Sequence, residues 1–163
     1  MTREERRIMY IILMRHGFAE PETDEIANKD RRLTDKGRRA AGKTAVMLRH
    51  FLKGNRLTIC TSPYRRTKQT AEIAAEICGG SVFSAEELLQ SAWGPVAAHC
   101  IYGTGPILLV GHQPFLQSYL MTVAGAALKF SPAAAAVISY DPKWRQGQLA
   151  GYFSPELKKL RKR

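Results

Sequence analysis

The sequence predicts an α/β protein, a three-layer α/β/α sandwich around a mostly parallel sheet. Three observations carry the prediction. Apolar runs rich in branched residues at 8–14, 57–61 and 107–110 suit strands covered on both faces. Between them lie segments whose apolar residues recur at helical spacing, and the alternation of the two is the pattern of a layered α/β fold. Each of the three runs ends at a histidine, an arginine or a serine, where an open α/β sheet places its ligands.

The elements follow in order. The run at 8–14 forms the first strand. Thr34 is the expected N-cap of a helix with Gly37, Ala41, Thr44, Leu48 and Phe51 on one face and Arg39, Lys43, His50 and Lys53 opposite. A second helix starts near Pro63, buries Thr70, Ile73, Ala74 and Ile77, and stops at Gly79. Arg66, four residues before Thr70, points along its inward face, unlike Arg65 and Lys68. A third helix runs from Pro114 to Gly125, and residues 94–102 suggest a short fourth. Residues 136–140 and 148–153, separated by Asp141-Pro142 and Gln146-Gly147, read as a terminal hairpin. The strand order does not follow from these patterns.

At 163 residues the chain has the size of a single domain, 1–163, with flexible ends at 1–7 and 157–163. The apolar run near the N-terminus is too short to span a bilayer and precedes no small-residue cleavage site. Cys60, Cys78 and Cys100 lack metal-ligand spacing, so reduced thiols in a cytoplasmic, monomeric protein are the expectation. The net charge is +11. Lys158, Lys159, Arg161, Lys162 and Arg163, offset by Glu156, place much of that excess on one solvated tail, so neither nucleic acid nor membrane is the expected partner. His50 and His99 lack a second ligand pair, which argues against a metal site, and Trp93 and Trp144 read as packing or rim residues. Neither a glycine-rich phosphate loop nor a dinucleotide fingerprint is present.

Chemistry concentrates at three strand ends: Arg15-His16-Gly17, Ser62-Pro63 with Arg66, and Gly111-His112. Two arginines and two histidines in one pocket suit a phosphoryl group, because guanidinium forks match phosphate oxygens pairwise and stay charged at any working pH. The helix starts after Pro63 and Pro114 would add backbone N–H donors. Crowded cations are expected to keep one imidazole neutral and nucleophilic near pH 7, a role assigned to His16, with His112 as a further donor.

Four segments carry a family resemblance: residues 13–17 (Leu-Met-Arg-His-Gly), 32–37 (Arg-Leu-Thr-Asp-Lys-Gly), 61–71 (Thr-Ser-Pro-Tyr-Arg-Arg-Thr-Lys-Gln-Thr-Ala) and 109–114 (Leu-Val-Gly-His-Gln-Pro). In this order they resemble the histidine phosphatase superfamily, also called phosphoglycerate-mutase-like. The resemblance implies the three-layer sandwich, a covalent phosphohistidine on His16, and Arg15, Arg66 and His112 as ligands of the phosphoryl oxygens, with no metal or organic cofactor. Gly17, Ser62 and Gln113, in the same segments, are assigned to substrate binding.

Short length and compact spacing look most like phosphohistidine phosphatases of the SixA type, which act on histidine-phosphorylated proteins. Where mutases and many monoesterases of the family carry Leu-x-Glu as general acid, this chain has Leu88-Leu89-Gln90. A missing acid hinders an alkoxide more than an imidazole, which leaves neutral after protonation on its other nitrogen. Gln90 and Glu87 are therefore assigned to the leaving-group side, and a shifted loop would let Glu86 or Glu87 act as acid. Phe18-Ala19-Glu20-Pro21 lacks the polar residues of mutases. The expected substrate is a phosphohistidine protein. The alternatives are a small phosphorylated molecule cleaved as a monoester, or a non-catalytic module binding phosphate or nucleic acid.

Overall fold

The computed structural model describes residues 8–90 and 105–156. Their strands form one six-stranded sheet: β1 (Met9–Arg15), β2 (Leu57–Thr61), β3 (Gly80–Ser84), β4 (Ile107–Gly111), β5 (Ala135–Asp141) and β6 (Gln146–Phe153). Their order is β3-β2-β4-β1-β5-β6. The pairs β2/β3, β2/β4 and β1/β4 are parallel, while β5 runs antiparallel to both β1 and β6. The sheet is thus mixed, with its parallel part at β3-β2-β4-β1 and the expected hairpin closing one side.

Burial on both faces explains the uninterrupted apolar run of β1. Ile12 and Met14 join Leu108, Val110 and Val137 against helices α1 (Asp35–Leu52) and α2 (Arg65–Cys78). Ile11 and Leu13 join Leu109, Ala136 and Ile138 against helix α3 (Phe115–Ala124), through Leu116 and Leu120. Alternate residues of the central strands β1 and β4 feed opposite cores, which is why both read as continuous apolar runs. These are the three layers expected.

The helix ends match their sequence signals. Thr34 caps α1 by accepting the Gly37 amide at 3.1 Å, α2 stops at Gly79, and α3 stops at Gly125 with φ 60°. Of the predicted inward face of α1, Gly37, Ala41, Thr44 and Leu48 are buried while Phe51 is half-buried; Ala40, Ala45 and Leu52 complete it.

Strand β3 had no counterpart in the sequence pattern. It is an edge strand, paired only with β2, and its large apolar residues Val82 and Phe83 are both exposed. With neither face buried, it lacks the periodicity by which strands are read. The suggested fourth helix at 94–102, the flexible ends at 1–7 and 157–163, His99 and Cys100 lie outside the described residues.

Candidate active site

The strand order brings the three chemical segments together. β2, β4 and β1 are consecutive and parallel, with Thr61 level with Val110 and Arg15 level with Gly111. Their carboxyl ends therefore deliver Ser62, His112 and Arg15-His16 to one edge of the sheet. The His16 amide donates to the Gly111 carbonyl at 3.3 Å, and the His16 carbonyl accepts from the Ala133 amide at 3.0 Å. Ala133 is buried in the left-handed region, φ 62°, and its own carbonyl accepts from Thr44 Oγ1.

A second set of contacts docks α1 and α2 against the His16 turn. The Gly17 amide donates to Thr70 Oγ1 at 3.2 Å, and that hydroxyl donates to the Arg66 carbonyl at 2.8 Å. Gly17 and Gly37 meet backbone to backbone: a Cβ on Gly17 would stand 2.6 Å from the Gly37 carbonyl oxygen, and one on Gly37 would collide with the Phe18 carbonyl. Leu33 donates its amide to Gln69 Oε1 at 2.8 Å. The segments 32–37 and 61–71 thus hold the nucleophile's turn as well as supplying Arg66.

A cavity of about 280 Å³ opens at this edge, lined among the described residues by Arg15, His16, Asn28, Tyr64, Arg66, Leu89, His112, Gln113 and Phe115. All four residues of the predicted tetrad line it. Arg66 is 5 % exposed although it is charged, while Arg65 and Lys68 are exposed, as the helical register predicted. Its guanidinium bridges the site: Nη1 donates to the Asn28 carbonyl at 2.7 Å, Nε lies 3.3 Å from His16 Nε2, and Nη2 lies 3.4 Å from His112 Nδ1. Arg15 Nη1 donates to the Phe130 carbonyl at 2.9 Å. Tyr64 and Arg66 at the start of α2 and Phe115 at the start of α3 line the cavity, so the N-terminal ends of both helices border it.

His16 Nδ1 lies 2.7 Å from the Gly17 carbonyl oxygen, so this nitrogen carries the proton and donates. Nε2 is left with a lone pair. Burial pushes the His16 imidazole down to about 3, helped by the charges of Arg66, His112 and Arg15 and opposed by its bond to Gly17. Burial likewise lowers His112 to about 4, with Arg66 and Arg15 adding to the effect. Both rings are therefore neutral near pH 7, and desolvation rather than the crowding of cations is the main cause.

The other predicted substrate-binding positions fall into three groups. Gln113 lines the cavity and donates Nε2 to the Phe130 carbonyl at 3.2 Å. Gly17 and Ser62 are buried behind the lining, where Ser62 Oγ lies 2.7 Å from His112 Nε2. Glu87 and Gln90, with Glu86, are exposed around the short 3-10 turn Glu86–Leu89 and do not line the cavity; Leu89 does. Apolar Leu88 anchors this turn in the core, which turns the glutamates outward.

Asn28, Tyr64, Leu89 and Phe115 are lining residues that sequence reasoning missed. Tyr64 sits inside the 61–71 segment and gave a signal; its ring packs edge-on against His112 at 5.1 Å and beneath the Arg66 guanidinium at 4.9 Å. Asn28 contributes its backbone carbonyl from the short 3-10 turn Asn28–Asp30 and gave none.

Residues 11–99 match the model of the histidine phosphatase superfamily, branch 1. The chain belongs to the histidine phosphatase superfamily. Solved structures with the same fold include an Agrobacterium tumefaciens protein described as a candidate phosphohistidine phosphatase SixA, 20% identical, with TM-score 0.76 over 90% of this chain and 98% of that one. A protein histidine phosphatase SixA complexed with tungstate is 23% identical, with TM-score 0.77 over 90% and 97% of the two chains. A mycobacterial glucosyl-3-phosphoglycerate phosphatase is 17% identical, with TM-score 0.70 over 88% and 98%. No curated protein matches the sequence. Solved structures with this fold therefore include ones named as protein histidine phosphatases and ones named for a small phosphate ester. Among the described residues no helix is long and apolar enough to cross a membrane, and no group of three metal-ligating side chains occurs.

Proposed function

We propose that the protein is a phosphohistidine phosphatase that acts on a phosphorylated protein through a covalent phosphohistidine at His16. The observation that carries this reading is the state of His16: Nδ1 is tied to the Gly17 carbonyl, and the unprotonated Nε2, which accepts from Arg66 Nε at 3.3 Å, stands with Arg15, Arg66 and His112 at one cavity. A neutral imidazole with its lone pair aimed at a cationic pocket is an activated nucleophile facing an anion.

In the first step the substrate imidazole, protonated from solvent on its other nitrogen, is displaced: Nε2 attacks phosphorus, the P–N bond of the substrate breaks, and the ring leaves neutral with that proton. The two guanidiniums hold the equatorial oxygens, where charge collects in the transition state. In the second step water attacks phosphorus, the bond to Nε2 breaks, and dihydrogen phosphate leaves. His16 keeps its Nδ1 proton throughout, so the Gly17 carbonyl orients the ring in both steps.

The leaving group decides between the substrate classes. No carboxylate lines the cavity among the described residues, and residues 91–104 contain neither Asp nor Glu. A site without a carboxylic acid favours an N–P bond over an alkyl ester. The reduced thiol of Cys78 fits a cytoplasmic protein. The test is phosphate release from a histidine-phosphorylated protein and from alkyl phosphates, by the wild type and His16→Ala. Release from the phosphoprotein by the wild type alone is expected; equal rates for both proteins refute the assignment, and faster cleavage of the alkyl esters transfers it to small-molecule hydrolysis.

A further inference from the structure

Behind the cavity lies a chain of hydrogen bonds whose direction can be worked out. Arg66 has only donors, so His112 Nδ1, 3.4 Å from its Nη2, is an acceptor and carries no proton. A neutral imidazole then bears its proton on Nε2, which donates to Ser62 Oγ at 2.7 Å. Ser62 in turn donates to Thr67 Oγ1 at 2.6 Å, and Thr67 donates to the carbonyls of Ser62 and Tyr64 at 3.0 and 2.8 Å. The chain ends on backbone oxygens, which accept but never donate, so it runs one way only. Ser62, Thr67 and His112 are all buried, which keeps water from offering a competing partner.

The consequence is a mismatch with the anion the cavity is built to hold. Facing the guanidinium, His112 shows a lone pair, and a lone pair repels a phosphoryl oxygen. We propose that His112 rests in this tautomer, fixed by the Ser62–Thr67 relay, and takes up one proton at Nδ1 from solvent when an oxyanion fills the cavity. The relay keeps Nε2 protonated, so the incoming proton can go only to Nδ1. The groups facing the ring are the cations Arg15 from β1 and Arg66 from α2, neutral His16, and the Tyr64 ring at 5.1 Å. In the empty site these cations oppose a third charge. A bound dianion reverses the sign of the local field, and the imidazolium then becomes a third cationic donor to the oxygens. Ser62 and Thr67 are positioning residues in this scheme, acting through His112.

The inference rests on the cavity being an oxyanion site, and sulfate separates the two questions because it stays a dianion throughout the working range. Calorimetric titration of the wild type with sulfate at pH 7, in buffers of different ionisation enthalpy, is expected to show about one proton bound per sulfate. The sulfate affinity then rises about tenfold for each unit the pH falls toward 5. On sulfate binding, the 15N resonance of His112 Nδ1 should move from the pyridine-like to the protonated position. His112→Gln should bind sulfate without proton uptake. Thr67→Val should reduce the uptake while Thr67→Ser retains it, because without an acceptor at 67 the Ser62 hydroxyl turns to donate to Nε2 and the ring rests as the Nδ1–H tautomer. Sulfate binding to the wild type without proton uptake overturns the proposal and leaves the proposed function standing. Uptake that survives His112→Gln but vanishes in His16→Gln also overturns it, and failure of the wild type to bind sulfate overturns the oxyanion reading itself.

Discussion

Arg66 Nε lies 3.3 Å from His16 Nε2, so the cation of the pocket and its nucleophile are in direct contact through a hydrogen bond that only a neutral imidazole can accept. The same guanidinium is anchored by the Asn28 carbonyl and touches His112 Nδ1. One side chain therefore sets the spacing of both rings. Lysine keeps the charge but loses the planar fork. Arg66→Lys is expected to lower kcat/KM by about 10²–10³, the usual range for removing one preorganised oxyanion donor. Circular dichroism should remain unchanged, and steady-state kinetics on a phosphohistidine substrate is the measurement. A loss below about tenfold would contradict the bridging role.

The two histidines make stability depend on pH. Their folded values, about 3 for His16 and about 4 for His112, lie below the ordinary value of 6.5. Between these limits the unfolded chain binds protons that the folded chain does not, so stability rises with pH across the window and is lost as pH falls from about 6.5 toward 4. Each histidine accounts for a loss on the order of 3 kcal/mol by pH 4. Denaturant unfolding between pH 4 and 7 should show this slope, and it should be shallower in His112→Gln. Saturating sulfate should flatten the slope further in the wild type, since the bound state of His112 then holds a proton too.

Gly17 and Gly37 are expected to resist substitution for a reason that lies in their packing. A methyl group at either position meets the partner segment's backbone, which cannot rotate away as a side chain could. Gly37→Ala is expected to cost about 1–3 kcal/mol, the range for overpacking, and to reduce turnover by displacing the His16 turn. Thermal unfolding together with kcat distinguishes this from Gly42→Ala in the same helix, where the nearest heavy atom is a side-chain methyl at 3.9 Å. Gly42→Ala should be neutral or slightly stabilising.

That comparison also shows what was legible in the sequence. The layers, five of the six strands and the tetrad could be read because each leaves a local signature: an apolar run, a hairpin's turn residues, a helical period, a charged residue on an inward face. The convergence of 15–16, 62–66 and 112 followed from a general rule about strand ends. The order that makes β2, β4 and β1 neighbours is a long-range fact with no local trace. Gly37 was read as part of an apolar face, yet its reason is contact with Phe18, nineteen positions earlier. Strand β3 and the Asn28 carbonyl were invisible because one buries no face and the other acts through its backbone. The relay Thr67–Ser62–His112 joins residues fifty positions apart, and the motif holding Ser62 and Thr67 gave no hint of its direction.

The leaving group supplies the last prediction. Glu86, Glu87 and Gln90 were the candidates for acid and leaving-group contacts, and all three are exposed and away from the cavity lining, where Leu89 takes the place nearest to them. A general acid must reach the leaving atom within hydrogen-bond distance. Turning this segment inward would have to expose Leu88, which is fully buried, and so would cost the burial of a large side chain. The double variant Glu86→Gln, Glu87→Gln should therefore change log kcat/KM on a phosphohistidine substrate by no more than the equivalent of about ±0.5 kcal/mol, as for ordinary surface substitutions. Its pH profile should overlay that of the wild type. Loss of an alkaline limb in the variant would show that one glutamate does deliver a proton, and would restore ester hydrolysis as the leading activity. Leu88→Ala provides the counterpart: by loosening the anchor it should destabilise the fold by about 2–5 kcal/mol, typical of a buried leucine truncation, without improving cleavage of alkyl phosphates.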